Sequence, residues 1–328
     1  MSDQTAGSGS APREALTIET QAFGAARLGE RDRLVRLLEA HPNVLTAREP
    51  PYGWTLLHRA AHHGQVHAVN LLLERGLDPN TRESGDPTYP IHWAAAGGHL
   101  EVVRRLADAG GDVVGAGDDH QLEVIGWATC WEGTDDLAHR AVVDELVRRG
   151  ARHHIFSAIA MNLAPVVRGL VTQDPSVTSR RMSRNENHQT PLHFAVRMGR
   201  REMVELLLEL GADPLSTDGF GHHAAIYATS PDVDRPIMEA IRALARSELV
   251  SAERGHRPSR GSPMDLIASL SLSDWALASR LVDDTPNLLD RGGALHLAAK
   301  RGEEAAVDWL LGRAAPIPTR NGPTGMRR

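Results

Sequence analysis

The chain has 328 residues, of which 41% are hydrophobic, 24% charged and only 4% aromatic, and its formal net charge is -6. That length exceeds one hydrophobic core and points to two domains or a repeat array, while the scarcity of rings favours many small packing units. The negative balance, with no run of five basic residues, argues against nucleic acid as a partner, and the single cysteine, Cys130, excludes an internal disulfide and a multi-cysteine zinc site.

Residues 1–15 are polar and rich in Gly and Ser, the composition of a disordered tail. They hold no apolar signal segment, and no stretch approaches 18 apolar residues, so a cytoplasmic protein without membrane contact is expected. Lys300 is the only lysine beside 35 arginines, a bias that suggests a GC-rich, bacterial source. From residue 16 to residue 314 the chain repeats itself. A first unit centred on Phe23 carries a polar outer surface, Glu30-Arg31-Asp32-Arg33, and reads as an N-terminal cap. Next comes Thr55-Leu56-Leu57-His58-Arg59-Ala60-Ala61, followed by Gly64, Leu71-Leu72-Leu73 and Gly76. Tyr89-Pro90-Ile91-His92-Trp93-Ala94-Ala95 opens the third, and Thr190-Pro191-Leu192-His193-Phe194-Ala195-Val196 is the clearest of all. Ala294-Leu295-His296-Leu297-Ala298-Ala299 opens the last.

These units resemble ankyrin repeats, whose signature is T-P-L-H-x-A-A, then Gly, then a leucine-rich helix. The positions equivalent to the signature histidine fall at Phe23, His58, His92, Gly126, Phe156, His193, Ala225, Asp265 and His296, with a mean step of about 34 residues. The resemblance implies an all-α solenoid of about nine helix-turn-helix units with short β-hairpin fingers. In each unit Thr-Pro starts a short helix, paired alanines allow close approach, and glycine permits the reversal into a second helix. One unit cannot bury its apolar side alone, so stacking supplies the stability. The resemblance also implies that the signature histidines hydrogen-bond neighbouring finger backbone. Residues 315–328, rich in Pro and Gly, are expected to be a disordered tail.

The array departs from its own pattern at 126–156 and at 230–264. In the Gly126 unit the pair Val142-Val143 comes six residues late, with the extra residues around Glu132 to Arg140. Gly150 to Phe156 is too short for a finger, so a kink is expected there. Ser230 to Met264 holds four prolines, which makes the units at Ala225 and Asp265 the weakest.

Family members bind partners through finger tips and the inner face of the first helices, which here implies Arg59, His62, His63, Trp93, Trp127, Cys130, Trp131, Phe194, Arg197 and Met198. Tyr52 and Tyr89 lie in neighbouring fingers. Six of the 13 aromatics fall between positions 52 and 131, and interface hot spots favour Trp, Tyr and Arg. Trp54 reads as structural, whereas Trp93, Trp127 and Trp131 are expected to be partly exposed in one patch. His153, His154, Glu186 and His188, with Asp135 and Cys130, form a conceivable reactive set near the short junction. No catalytic motif accompanies them, so no catalytic residue is assigned and catalysis is disfavoured. No cofactor or metal is implied. The leading reading is a scaffold that binds a protein partner through its groove and hairpin tips. The alternative is a small-molecule binder or unconventional enzyme with an aromatic- and His-lined pocket near repeats three to five. A closed cavity holding His153, Glu186 and two tryptophans would favour the latter.

Overall fold

The computed structural model describes residues 17–131, 134 and 136–228, and beyond them short stretches, chiefly Trp275–Asp284 and Glu304–Arg313. Most of the first helices of the units expected at Asp265 and His296, most of Ser230 to Met264, Asp135 and both tails lie outside the described residues. The described residues are mostly helical, with no β-strand; two fingers are closed by single bridges, Glu49 to Trp54 and Thr217 to His223. The chain divides into two compact units, residues 1–152 and 153–328.

The first unit holds four helix pairs: α1 (Ile18–Leu28) with α2 (Arg31–Ala40), α3 (Leu56–His62) with α4 (Val66–Glu74), α5 (Pro90–Ala96) with α6 (Leu100–Asp108), and α7 (Glu123–Trp127) with α8 (Leu137–Arg148). The second holds α9 (Ile155–Ala160) with α10 (Ala164–Gln173), α11 (Pro191–Arg197) with α12 (Arg201–Glu209), a 3-10 turn at Ala224–Tyr227, α13 (Trp275–Asp284) and α14 (Glu304–Arg313).

Each first helix is short because its sequence both starts and stops it. Thr55 caps α3 and proline occupies the first turn of α5 and α11, where the missing N–H would have no helical acceptor. Glycine then reverses the chain: Gly64 has a φ of +68°, and a Cβ there would meet His99 Nδ1 at 2.7 Å. The paired alanines Ala60-Ala61 and Ala94-Ala95 are fully buried, which lets α1, α3, α5 and α7 pack successively as one layer. The second helices form the other layer and bury Leu34, Leu72, Leu106 and Leu146. Ion pairs join successive second helices, Arg149 to Asp108 at 2.7 Å and Arg104 to Glu145 at 3.6 Å. Hydrogen bonds from Arg148 and Arg149 hold the Glu145 carboxylate down at about 2.

The signature histidines tie each helix to the finger that follows. His58 Nε2–H donates to the Thr88 carbonyl at 3.1 Å, His92 to Gly115 at 2.9 Å and His193 to His222 at 2.9 Å. The other ring nitrogen serves the helix start: His92 Nδ1 accepts from the Tyr89 N–H at 3.1 Å, and His193 Nδ1 lies 2.7 Å from Thr190 Oγ1. One nitrogen donates and the other accepts, so the ring must be neutral. Burial enforces this, pushing His58 and His92 down to about 4.

The pair α7/α8 solves the same problem differently. Gly126 stands where the ring would be, and Asp118 supplies the missing acceptor. Its buried carboxylate accepts from the N–H groups of Leu122 (3.2 Å) and Glu123 (3.0 Å) and from Trp127 Nε1–H (3.2 Å). The late Val142-Val143 pair follows from the start of α8 at Leu137, capped by Asp136, whose side chain accepts from the His139 N–H at 2.8 Å. In the next pair His154 caps α9, and Phe156 fills the histidine position, buried edge-on to Phe194 with centroids 5.7 Å apart.

Candidate recognition site

A row of rings runs through three successive repeats of the first unit. Trp54 precedes α3, Trp93 lies in the middle of α5, and Trp127 ends α7. Ring centroids are 4.5 Å apart for Trp54 and Trp93, 5.0 Å for Trp93 and Trp127, and 5.5 Å for Trp127 and Trp131. The positions of Trp93 and Trp127 in the 34-residue register explain the adjacency. Beyond the row opens a cavity of about 450 Å³, lined by Asp86, Trp93, Ala96, His120, Trp127, Trp131, Thr134 and His139. Polar groups fix its walls. Trp93 Nε1–H donates to Thr88 Oγ1 at 2.9 Å, and His120 Nε2 sits 3.1 Å from Asp86 Oδ2. His139 lies between Asp136 Oδ1 at 2.8 Å and the Ala96 carbonyl at 3.0 Å.

Three of the residues expected on the binding face are buried. Trp127 is 3% exposed, Cys130 1% and Phe194 0%. The physical reason for Trp127 is Gly126: with no ring in that position, the indole turns inward, bonds Asp118 and packs edge-on against His92 at 5.7 Å. What Trp127 offers is a wall of the cavity rather than open surface. Phe194 is enclosed beside Phe156, with the Arg197 guanidinium 5.2 Å from its ring centroid. Trp93 and Trp131 are half-buried, as are Arg59, His62, His63, Tyr89, Arg197 and Met198; Tyr52 is exposed. Arg59 bonds Glu49 and lies over the Trp54 ring at 4.5 Å. His62 sits between Trp54 and Trp93, 5.2 and 5.1 Å from their centroids, and burial followed by its neighbours His63, Arg59 and His99 pushes it down to about 4.

The residues of the conceivable reactive set have the following neighbours. His153 bonds Ser157 Oγ at 3.2 Å, and His154 accepts from the Ser157 N–H. Glu186 is buried in a 3-10 turn and accepts from Ser183 Oγ–H at 2.7 Å, while His188 is exposed with a φ of +52°. Cys130 and the tryptophans belong to the first unit and these four residues to the second. The lining of the cavity in the first unit includes Trp93, Trp127, Trp131, His120 and His139.

Asp86, His120, Thr134 and His139 were missed in the sequence, as were two further ladders. His99 Nε2–H donates to the His62 carbonyl at 3.1 Å, and His139 does the same to Ala96 in the next repeat. Arg48 reaches the Arg82 carbonyl at 3.1 Å, and Arg82 reaches Ala116 at 2.6 Å, each 34 residues ahead. The signal was present: arginine stands ten residues before both His58 and His92.

Against known families, residues 57–107 match the model for ankyrin repeats in many copies, and residues 187–219 match that for the single ankyrin repeat. The chain carries ankyrin repeats in these two stretches. It is 26% identical over 190 residues to a putative E3 ubiquitin-protein ligase, XBAT31, of Arabidopsis thaliana, an alignment covering 58% of this chain and 37% of that protein. It is 34% identical over 164 residues to ankyrin repeat and SAM domain-containing protein 6 of Danio rerio, covering 47% and 21%. The chain thus spans less than two fifths of either relative. Among solved structures, the human ASB11 ankyrin repeat domain is 21% identical with a TM-score of 0.46, covering 67% of this chain and 96% of that one. Ankyrin repeats generally mediate protein–protein interaction. Among the described residues, no helix is long and apolar enough to cross a membrane.

Proposed function

We propose that this chain is a protein-recognition module whose contact surface centres on the tryptophan row of the first unit and takes a side chain of the partner into the cavity beside Trp131. The observation that carries this reading is the row itself. Half-buried Trp93 and Trp131, backed by buried Trp127 and beside a preformed cavity, are what hot spots are made of, since they offer large apolar area with few rotamers to freeze. Arg59, His62, His63 and Tyr89 extend the same face, and Tyr52 stands at the finger edge. The volume of about 450 Å³ also falls within the range of small-ligand pockets, which keeps the alternative of a small molecule in view.

Panning a random peptide library on the full chain tests the proposal. Peptides should be enriched on the wild type, and their affinity should fall about tenfold or more in Trp131→Ala, with the melting temperature little changed. A library that yields no enriched peptide, or peptides indifferent to Trp131→Ala, overturns it.

A further inference from the structure

The second unit carries a face of its own, and its charge is one-sided. Between Pro175 and Arg201 stand six arginines and one carboxylate, Glu186, which is buried. Arg201 is paired with Glu205 at 2.9 Å. Arg181 directs Nη1 to the carbonyls of His188 (2.9 Å) and Thr217 (2.8 Å), which leaves its charge uncancelled. Arg180, Arg184 and Arg197 meet no carboxylate among the described residues. Arg197 Nε is buried without a hydrogen-bond partner. In the first unit Arg59 is matched by Glu49, whereas Arg197 has only the Phe194 ring beneath it.

The carboxylates of the following finger are committed to that finger. Asp213 accepts from the Leu215 N–H at 2.9 Å and from Ser216 Oγ–H at 3.1 Å. Buried Asp218 accepts from the N–H groups of Phe220 (2.8 Å) and His222 (2.9 Å) and from Tyr227 Oη–H. The same bonds fix the finger tip, and Gly219 N–H ties it to the Asn187 carbonyl of the finger before it at 2.6 Å. On this fixed tip Phe220 is 65% exposed. From Phe220 the rings continue to His222, with centroids 5.8 Å apart, and on to Tyr227 at 6.4 Å. The Tyr227 hydroxyl in turn feels the charge of Arg197. An exposed ring on fixed backbone is an anchor that loses little entropy on binding, and guanidinium groups without carboxylates offer forks to those of a partner.

We propose that the face formed by Arg181, Arg184, Arg197, Tyr227 and Phe220 docks an acidic peptide segment of a partner protein, with its carboxylates on the guanidinium groups and an apolar side chain on Phe220. Every residue of this face belongs to the second unit, so it goes beyond the tryptophan row and does not rest on it. A peptide suits the charge better than a nucleic acid or an anionic membrane. Those present long, uniform negative charge to a chain of net charge -6, whereas a short acidic stretch meets only the local excess of arginine.

The test is peptide panning on the full chain carrying Trp131→Ala, which removes the ring that the tryptophan reading depends on and leaves this face intact. Enriched peptides should carry Asp and Glu at about twice their frequency in the naive library. Their affinity, read by fluorescence anisotropy, should fall about tenfold in Arg184→Glu and about threefold in Phe220→Ala. Both side chains are exposed, so the melting temperature should stay unchanged. Added salt should weaken binding. No enrichment, enriched peptides without an acidic excess, or acidic peptides indifferent to Arg184→Glu overturn the proposal. Oligouridylate or phosphatidylserine vesicles that bind more tightly than the peptides, and lose that binding in Arg184→Glu, overturn the peptide as occupant. Acidic peptides on this chain, with no Trp131-dependent class on the wild type, leave this face standing and remove the tryptophan reading alone. Trp131-dependent peptides on the wild type, with none on Trp131→Ala, do the reverse.

Discussion

The repeats built on α5/α6 and α7/α8 are neighbours with the same layout and different chemistry. The first secures its helix start and the next finger with one neutral imidazole, His92. In the second a carboxylate, Asp118, does the securing, and the space left by Gly126 is taken by Trp127. The regular repeat is a stacking element. The irregular one gives up the interchangeable ring, and in exchange gains an inward-turned indole, a short first helix and the cavity. Departure from the repeat signature is where the chain acquires individuality.

The largest effect should come from Asp118→Ala, which leaves three donors without their acceptor around a buried Trp127. A loss of about 3–5 kcal/mol in urea denaturation is expected, and about half that for Asp118→Asn, which keeps an oxygen. A loss no larger for Ala than for an exposed carboxylate would break the comparison.

Acid should discriminate the two repeats next. His58 and His92 lie at about 4 in the fold and at about 6.5 when unfolded, so between these values the unfolded state holds more protons. Their contribution is complete above pH 6.5 and is lost as pH falls towards 4, up to about 3 kcal/mol for each. His92→Gln should flatten the dependence of stability on pH in that window. Hydrogen-exchange protection factors, corrected for the slower intrinsic exchange at low pH, should fall more from pH 7 to pH 5 around α3 and α5 than around α7. An unchanged pH slope in His92→Gln would exclude the neutral-ring account.

Smaller effects follow from the fingers and the surface. Arg82→Ala removes bonds to Pro87 and Ala116 and a guanidinium 4.2 Å from the Tyr89 ring, for a loss of about 1–2 kcal/mol. Glu101→Gln breaks the exposed pair with Arg105 on α6 and should change the unfolding free energy in urea by no more than about 0.3 kcal/mol. A larger value would mean that the second-helix layer depends on charge rather than on leucine packing.

The helices with Thr-Pro, His and paired alanines were legible because the same physical problem recurs at a fixed period. His58, His92 and His193 could be placed from the sequence for that reason. Trp127 was misjudged by the same logic: it follows its slot as Trp93 does, but the slot holds glycine, and exposure depends on what fills the space beneath. Asp118 carries no periodic signal, since its partners are one helix start and one indole. Asp86 and His120 come together only because adjacent fingers stack, a proximity that no single repeat contains.

Arg48 and Arg82 each spend a side-chain bond on the finger one period ahead. Excising one whole period, residues 57–90, would hand the Arg48 guanidinium the carbonyl that Arg82 now holds, so nothing in the ladder would go unanswered. Removing any other length would set every later acceptor out of step. Along these three fingers the ladder therefore makes length a quantised variable: this stretch can shorten or grow by whole periods and keep its bonds, and a change of any other length between the arginines breaks them.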